Sequence, residues 1–425
     1  MLNFNFFTMK KQSVFFSIMM LAVIFLIGFN ICKKDETEAL KLVSMEAGAI
    51  DLNAASAPTN VPVNPSIVAT FNVNVDPASA TSANITMEQD YDAANIELTI
   101  TVSGKTITIE PVNSLGTGTL YKLSLGAGLM SKDGKAITAL ERSFTTEGTF
   151  APTGAIAHWT FEDNANDVIG TWDPTADGIV DITYTDSRNA AAGKAATFNG
   201  TTSIIEILNG DQLINTANFS ISFWVKTNST GITHGHFVIG LGAFYGIEYE
   251  IYGGYDGGKF AVRYELSSGE TASEDMWFPS LATDNTNGGW QGWDYAKSLT
   301  VDQMTALLKD TWLNVVYTFN GTTRQGILYY NGEKMKSFDF NLWPDGDAKR
   351  TVVGMKWGGV PPEEYSDLAF GFIKSRRGTL WETETWGGYT FPDANHFKGQ
   401  LDDIRIYHKV ITPTEIDLMY QSEKP

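Results

Sequence analysis

The chain has 425 residues, with 30 Lys and Arg against 49 Asp and Glu, a formal charge of -19, and one cysteine. That length fits two domains and a short targeting segment better than one core. The charge excludes nucleic acid and anionic lipid as partners, leaves neutral sugars open and supplies carboxylates for hard cations; a lone cysteine excludes an internal disulfide. Forty glycines among many Thr, Val, Ile and aromatic residues favour strands and turns over helices.

Residues 14–31 form an apolar run preceded by Lys10 and Lys11 and followed directly by Cys32. Its length lies between a signal h-region and a short membrane span. Met9-Lys10-Lys11 reads as the start, because the residues before it lack the positive charge with which a signal begins. The arrangement resembles a bacterial lipoprotein signal, which implies lipidation of Cys32. It also implies an exported chain held at the outer membrane or cell surface, touching the membrane only through its N-terminal anchor. Phe29-Asn30-Ile31 departs from the small residues usual before that cysteine, and an uncleaved apolar anchor is the alternative. Cleavage before Cys32 removes two lysines and no acid, leaving 28 basic against 49 acidic residues, or -21.

Residues 32–43 carry charge without periodicity and read as a solvated linker. Residues 44–149 follow as a first domain. Pro58, Pro62 and Pro65 punctuate its start. Residues 67–75, 96–102, 106–109 and 121–125 then alternate apolar and polar in the strand period, with turns at Ser103-Gly104 and Asp133-Gly134. Short strands at this spacing and no helical stretch predict a β-sandwich. The run from Pro58 through Phe71, then Pro111, Tyr121 and the closing Ser143-Phe-Thr-Thr146, resembles the bacterial Ig-like module, which implies a spacer.

Residues 152–425 are the second domain. In Ile156-Ala-His-Trp-Thr-Phe161, alternation puts Ala157, Trp159 and Phe161 on one face and His158 on the other. Residues 196–199 turn at Gly200 into 204–208, and 219–226 is a central strand. Residues 315–319 turn through Asn320-Gly321 into 326–330, and Asn331-Gly332 turns again, since Asn-Gly supplies the positive φ values of a tight hairpin. Residues 298–310 predict a helix with Thr300 and Gln303 as a capping box. In Phe397-Lys-Gly-Gln-Leu-Asp-Asp-Ile-Arg-Ile-Tyr407, alternation predicts a half-buried strand in which Asp402 points inward with Ile404 and Asp403 points out. A last helix starts at Thr412, with Glu415 completing a capping box and Pro413 at its first position.

The 397–407 stretch, together with Trp159-Thr-Phe161, Ala196-Thr-Phe-Asn-Gly200, Phe219-Ser-Ile-Ser-Phe-Trp-Val225 and Trp312-Leu-Asn-Val-Val-Tyr-Thr-Phe319, resembles the laminin-G-like branch of the concanavalin A-like lectin/glucanase jelly rolls. The resemblance covers residues 152–420. It implies an all-β chain, an Ig-like sandwich followed by a jelly-roll sandwich, with Trp159, Trp224 and Trp312 structural. Two segments, 253–298 and 338–396, exceed what a minimal sandwich of this kind needs. With the tether, the architecture resembles accessory lipoproteins of Gram-negative polysaccharide-uptake systems.

Sugar binding needs flat aromatic faces for the apolar side of a pyranose and polar groups at its edge. Trp290, Trp293 and Tyr295 offer this within six residues, Trp381 and Trp386 repeat it in the second long segment, and Tyr255 and Trp277 are further candidates. The expected partner is a polysaccharide or oligosaccharide, with outer-membrane glycan-uptake proteins beside it; an adhesion or protein-contact module is the alternative. In the resembled jelly roll the first and last strands are neighbours, which implies that Asp163 or Asp167 meets Asp402. Those carboxylates are candidate ligands of a structural calcium, against hydrogen bonds to backbone N–H groups or an Arg.

A divergent glycoside hydrolase or polysaccharide lyase is the other alternative. A retaining hydrolase needs two carboxyls about 5 to 5.5 Å apart, and the glucanase branch sets them as Glu-x-Asp-x-x-Glu. Glu248 and Glu250 share a strand face as the nearest match, but Tyr252 and Gly253 stand where the later acid belongs. They read as polar residues lining a cleft, or as a solvated face. The five histidines form no metal spacing beyond His234-Gly-His236.

Overall fold

The computed structural model describes residues 38–279, 293–359 and 365–425. One compact unit reaches to Leu115 and includes Leu120–Glu147; the other is Gly148–Pro425 with Gly116–Thr119. No helix among the described residues is long and apolar enough to cross a membrane.

In the first unit a five-stranded sheet, in the order Ile50–Asp51, Leu42–Ala47, Ile67–Phe71, Thr106–Pro111 and Leu98–Ser103, packs with a four-stranded one. The second sheet runs Asn95–Ile96, Ile85–Gln89, Leu120–Leu125, Leu140–Thr145. Alternation seals Ile67, Ala69, Phe71, Ile107, Ile109, Tyr121 and Leu123 in the core while their neighbours meet solvent. Order begins earlier than the charge pattern indicates: Leu40 is already buried and a strand starts at Leu42, inside the stretch expected as linker.

The second unit is a sandwich of a nine-stranded and an eight-stranded sheet, counted among the described residues. Strand Asn218–Thr227 lies between Trp312–Asn320 and Lys398–Tyr407. Phe219, Ile221, Phe223 and Val225 point from it into the core, where Phe260 stacks on Tyr317 at 4.4 Å. Four buried phenols are paired, Tyr264 with Tyr317 at 2.6 Å and Tyr249 with Tyr330 at 3.0 Å, which removes the cost of burying each of these hydroxyls alone. Segment 253–298 supplies sheet: strands Gly258–Leu266 and Thr271–Phe278 come from it. Segment 338–396 contributes strands Val352–Met355 and Leu368–Phe370 before a long excursion.

Asn331 and Gly332 have φ of 50° and 79° and form the tight turn expected. Asn320-Gly321 does not. The next strand starts only at Gln325, Asn320 Oδ1 accepts the N–H groups of Thr322 and Thr323, and the left-handed residue is Arg324. Both capping boxes form, at Thr300 with Gln303 and at Thr412 with Glu415. Helix Pro413–Glu423 buries Ile416 and Met419 on the outer face of the nine-stranded sheet, where Trp224 Nε1 donates to Glu423 at 2.8 Å.

Candidate functional site

The outer face of the eight-stranded sheet follows from strand alternation. Strands Ile247–Ile251, Gly258–Leu266 and Thr271–Phe278 send Ile247, Tyr249, Ile251, Phe260, Val262, Met276 and Phe278 into the core. Glu248, Glu250, Lys259, Asp275 and Trp277 therefore share the opposite face. Cross-strand register sets them in two rows, Phe237 with Glu250, Lys259 and Trp277, and Gly240 with Glu248, Ala261 and Asp275.

Lys259 Nζ lies 3.1 Å from Glu248 and 3.5 Å from Glu250. Glu248 is 1% exposed, and neither of its oxygens finds an aligned hydrogen bond among the described residues. Burial, opposed by Lys259, pushes its pKa up to about 8. Burial also raises Asp275, again against Lys259. Beside Glu248 in its row, Gly240 leaves room for the second long segment: a Cβ there would lie 2.1 Å from the carbonyl oxygen of Ile373.

That segment carries an aromatic wall onto this end of the sheet. Trp381 and Trp386 pack at 4.9 Å, Trp386 meets Phe237 at 6.2 Å, and Trp381 meets Phe244 at 5.9 Å. Phe244 stacks on Tyr245 at 4.6 Å in a turn opened by Gly242 and Ala243, both left-handed. Ion pairs anchor the excursion: Lys374 with Glu382, Arg376 with Glu206 and Arg377 with Asp367. Phe244, Ser273, Glu274, Asp275 and Trp277 line a cavity of about 290 Å³. A ring from the turn and a ring from the edge strand thus meet one cavity with a hydroxyl residue and two carboxylate residues, of which Glu274 is paired with Lys349.

The aromatic residues expected to act together are divided. Trp277, 47% exposed, and Trp386, 38% exposed, belong to this face, with Trp381 half-buried between Phe244 and Trp386. Tyr255 does not join them. It is buried in the core and its hydroxyl lies 2.9 Å from His236 Nε2, because the turn that carries it folds inward. Tyr295 stands on the nine-stranded sheet, with Lys334 Nζ 4.8 Å from its ring. Trp290 lies outside the described residues, and so does the side chain of Trp293, which begins strand Trp293–Ala296. Phe244, Tyr245, Ser273 and Asp275 were not foreseen. The available signal was the aromatic pair between Gly242 and Gly246, a short turn that cannot bury both rings by itself.

The carboxylates expected to hold calcium do not fit it. Asp167 Oδ1 accepts the N–H groups of His158 and Ile169, and Oδ2 those of Thr171 and Trp172. These four bonds outweigh burial and hold the group below the usual carboxylate range. Asp402 is taken by Ser187 and by Arg188, 2.5 Å away. Asp163, left-handed at φ 58°, is not drawn into either set. Among the described residues no group of three or more His, Cys, Asp or Glu converges as a cation requires.

The inward direction expected for Asp402 is also corrected. A bulge at Asp403, φ 46°, breaks the alternation, so Leu401, Ile404 and Ile406 reach the core. Asp402, Asp403 and Arg405 share the face that the last helix covers, where Arg188 and Glu423 meet them.

A family model for the bacterial Ig-like domain matches residues 49–146, and one for the concanavalin A-like lectin/glucanases superfamily matches 199–364. No curated protein matches the chain. Among solved structures it is similar to the botulinum neurotoxin type G receptor binding domain, at 15% identity and TM-score 0.37, over 63% of this chain and 51% of that one. It is also similar to the binding domain of botulinum neurotoxin DC in complex with SialylT, at 12% and 0.40, over 63% and 51%. A third is the botulinum neurotoxin serotype D ligand binding domain in complex with N-acetylneuraminic acid, at 15% and 0.37, over 64% and 51%. The chain spans about half the length of these structures. It joins a bacterial Ig-like domain to a lectin-like jelly roll of the concanavalin A-like lectin/glucanase superfamily.

Proposed function

We propose that the jelly roll binds a glycan on the outer face of its eight-stranded sheet, at the cavity between the Phe244 turn and the Trp277 strand. The observation that carries this reading is the convergence of Phe244 and Trp277 on one cavity with Ser273 and Asp275. Rings there cover the apolar face of a pyranose, and the hydroxyl and carboxylate bond its edge. Trp381 and Trp386 extend the wall beyond a single sugar ring, as a polymer needs. Binding without catalysis is favoured by Glu248: at 1% exposure it cannot reach a glycosidic bond.

The test is affinity electrophoresis of the purified chain through a panel of polysaccharides. Phe244→Ala and Trp277→Ala are each expected to weaken retention by about tenfold. Retention by no polysaccharide, or retention indifferent to both changes, refutes the site.

The same reading places the chain at the cell surface, tethered through Cys32, with the Ig-like domain as spacer. Support comes from the apolar run at 14–31 and the basic pair before it. Cys32→Ser is expected to abolish incorporation of a labelled fatty acid and to shift the chain out of the detergent phase on phase partitioning. A wild-type chain that takes up no label refutes lipidation.

A further inference from the structure

We infer that Asp275 sets the ligand class of this site: it accepts a hydrogen bond from a donor-bearing sugar edge, hydroxyl or ammonium, and turns acidic sugars away. The inference rests on the glycan-binding reading above. Asp275 stands in the cavity wall with Ser273, Phe244 and Trp277, and its carboxylate accepts no side-chain hydrogen bond among the described residues. A partly buried carboxylate in that state takes a donor from whatever occupies the cavity.

The surrounding charges point the same way. The cations of this face are already engaged. Lys259 is held between Glu248 and Glu250, and Arg263 lies 5.7 Å from the centre of the Tyr245 ring while its Nε donates to Thr271 Oγ1 at 2.8 Å. Glu248, in the same row as Asp275, is buried, with both oxygens short of an aligned hydrogen bond. A uronate or sialate carboxylate entering here meets the Asp275 carboxylate and, among the described residues, no uncommitted cation, while a hydroxyl or ammonium donor meets an acceptor. The chain's charge of -19 repels acidic polymers at longer range as well.

The experiment compares retention of the full chain by three probes: a neutral galactomannan and laminarin set, chitosan oligosaccharide, and polygalacturonate. Each is run at low and high salt, for wild type, Asp275→Asn and Phe244→Ala. Wild type is expected to retain on the neutral or the amine-bearing probe and not on polygalacturonate. Which of those two it prefers distinguishes hydroxyl from ammonium recognition. Asp275→Asn is expected to weaken the preferred probe by about tenfold and to narrow the gap to polygalacturonate. High salt is expected to narrow that gap in wild type too, a readout that does not depend on the variant folding. Preference of wild type for polygalacturonate overturns the inference. So does retention that falls in Phe244→Ala and stays unchanged in Asp275→Asn, which leaves the glycan-binding reading intact. Retention on none of the probes overturns both.

Discussion

Replacing Arg405 by methionine is expected to destabilise the second domain by about 3 to 5 kcal/mol, the usual cost of removing one partner from a buried ion network. Arg405 is buried beneath the last helix, with Nη2 3.0 Å from Asp403 and 2.8 Å from Glu423. Arg188 reaches Asp402 and Asp403, each at 2.5 Å, and His158 Nε2 lies 2.8 Å from Asp403. Against burial, which alone would raise it, Arg405, the His158 bond and Arg188 hold Asp403 far below the usual carboxylate range. Buried and facing that charge, Asp402 is pushed the other way, up to about 8. Without Arg405, Glu423 keeps, among the described residues, Arg188 at 3.7 Å and the Trp224 indole. Methionine preserves the volume packed against Met419, so the loss reports charge and not a cavity. All 11 tryptophans fall in the second domain, so urea denaturation followed by tryptophan fluorescence isolates it. A midpoint unchanged from wild type would show that the carboxylates neutralise themselves at no cost.

Acid is expected to act on the same domain through His236 and His396. Both are fully buried, and burial lowers each pKa to about 4. His396 Nε2 lies 2.8 Å from the carbonyl oxygen of Tyr389, and its Nδ1 is buried with no hydrogen-bond partner among the described residues, so a second proton finds no acceptor among them. With folded values below the unfolded 6.5, the folded state favours neutral rings. Their contribution is complete above about pH 6.5 and is lost as pH falls from there toward 4, by up to roughly 3 kcal/mol for each. Glu248 and Asp402, raised to about 8, work in the opposite sense: the folded state favours their protonated forms, and they gain stability as pH falls. The comparison that isolates the histidines is therefore wild type against His236→Gln with His396→Gln. The double variant is expected to be the less stable at pH 7 and to close most of that gap by pH 4.5. A gap independent of pH would show that these rings do not titrate against folding.

Much of the fold was legible along the chain because its signals are local. Alternation in 219–226 depends only on the two-residue period of a strand, and Thr412 with Glu415 caps a helix three residues away, whatever surrounds them. Where a local rule competed with a neighbour, it failed. Asn320-Gly321 yielded its turn to the Asn320 side chain, and the Asp403 bulge broke the alternation from which the direction of Asp402 had been read. The aromatic candidates show the same limit. Composition marked Trp277, Tyr255 and Trp381 alike, yet one lines the cavity, one is sealed beside His236 and one packs into a wall.

The amino-acid sequence by itself determined two sandwiches, their order, their caps and the excess of rings in the later segments, since each of these follows from periodicity or composition within a few residues. Only the tertiary structure decided that Phe244 from one turn and Trp277 from a distant strand share a cavity, and that Asp275 lines it with no side-chain hydrogen bond among the described residues. Cross-strand register brings those groups together, and it is a set of contacts between residues far apart in the chain that no short window encodes.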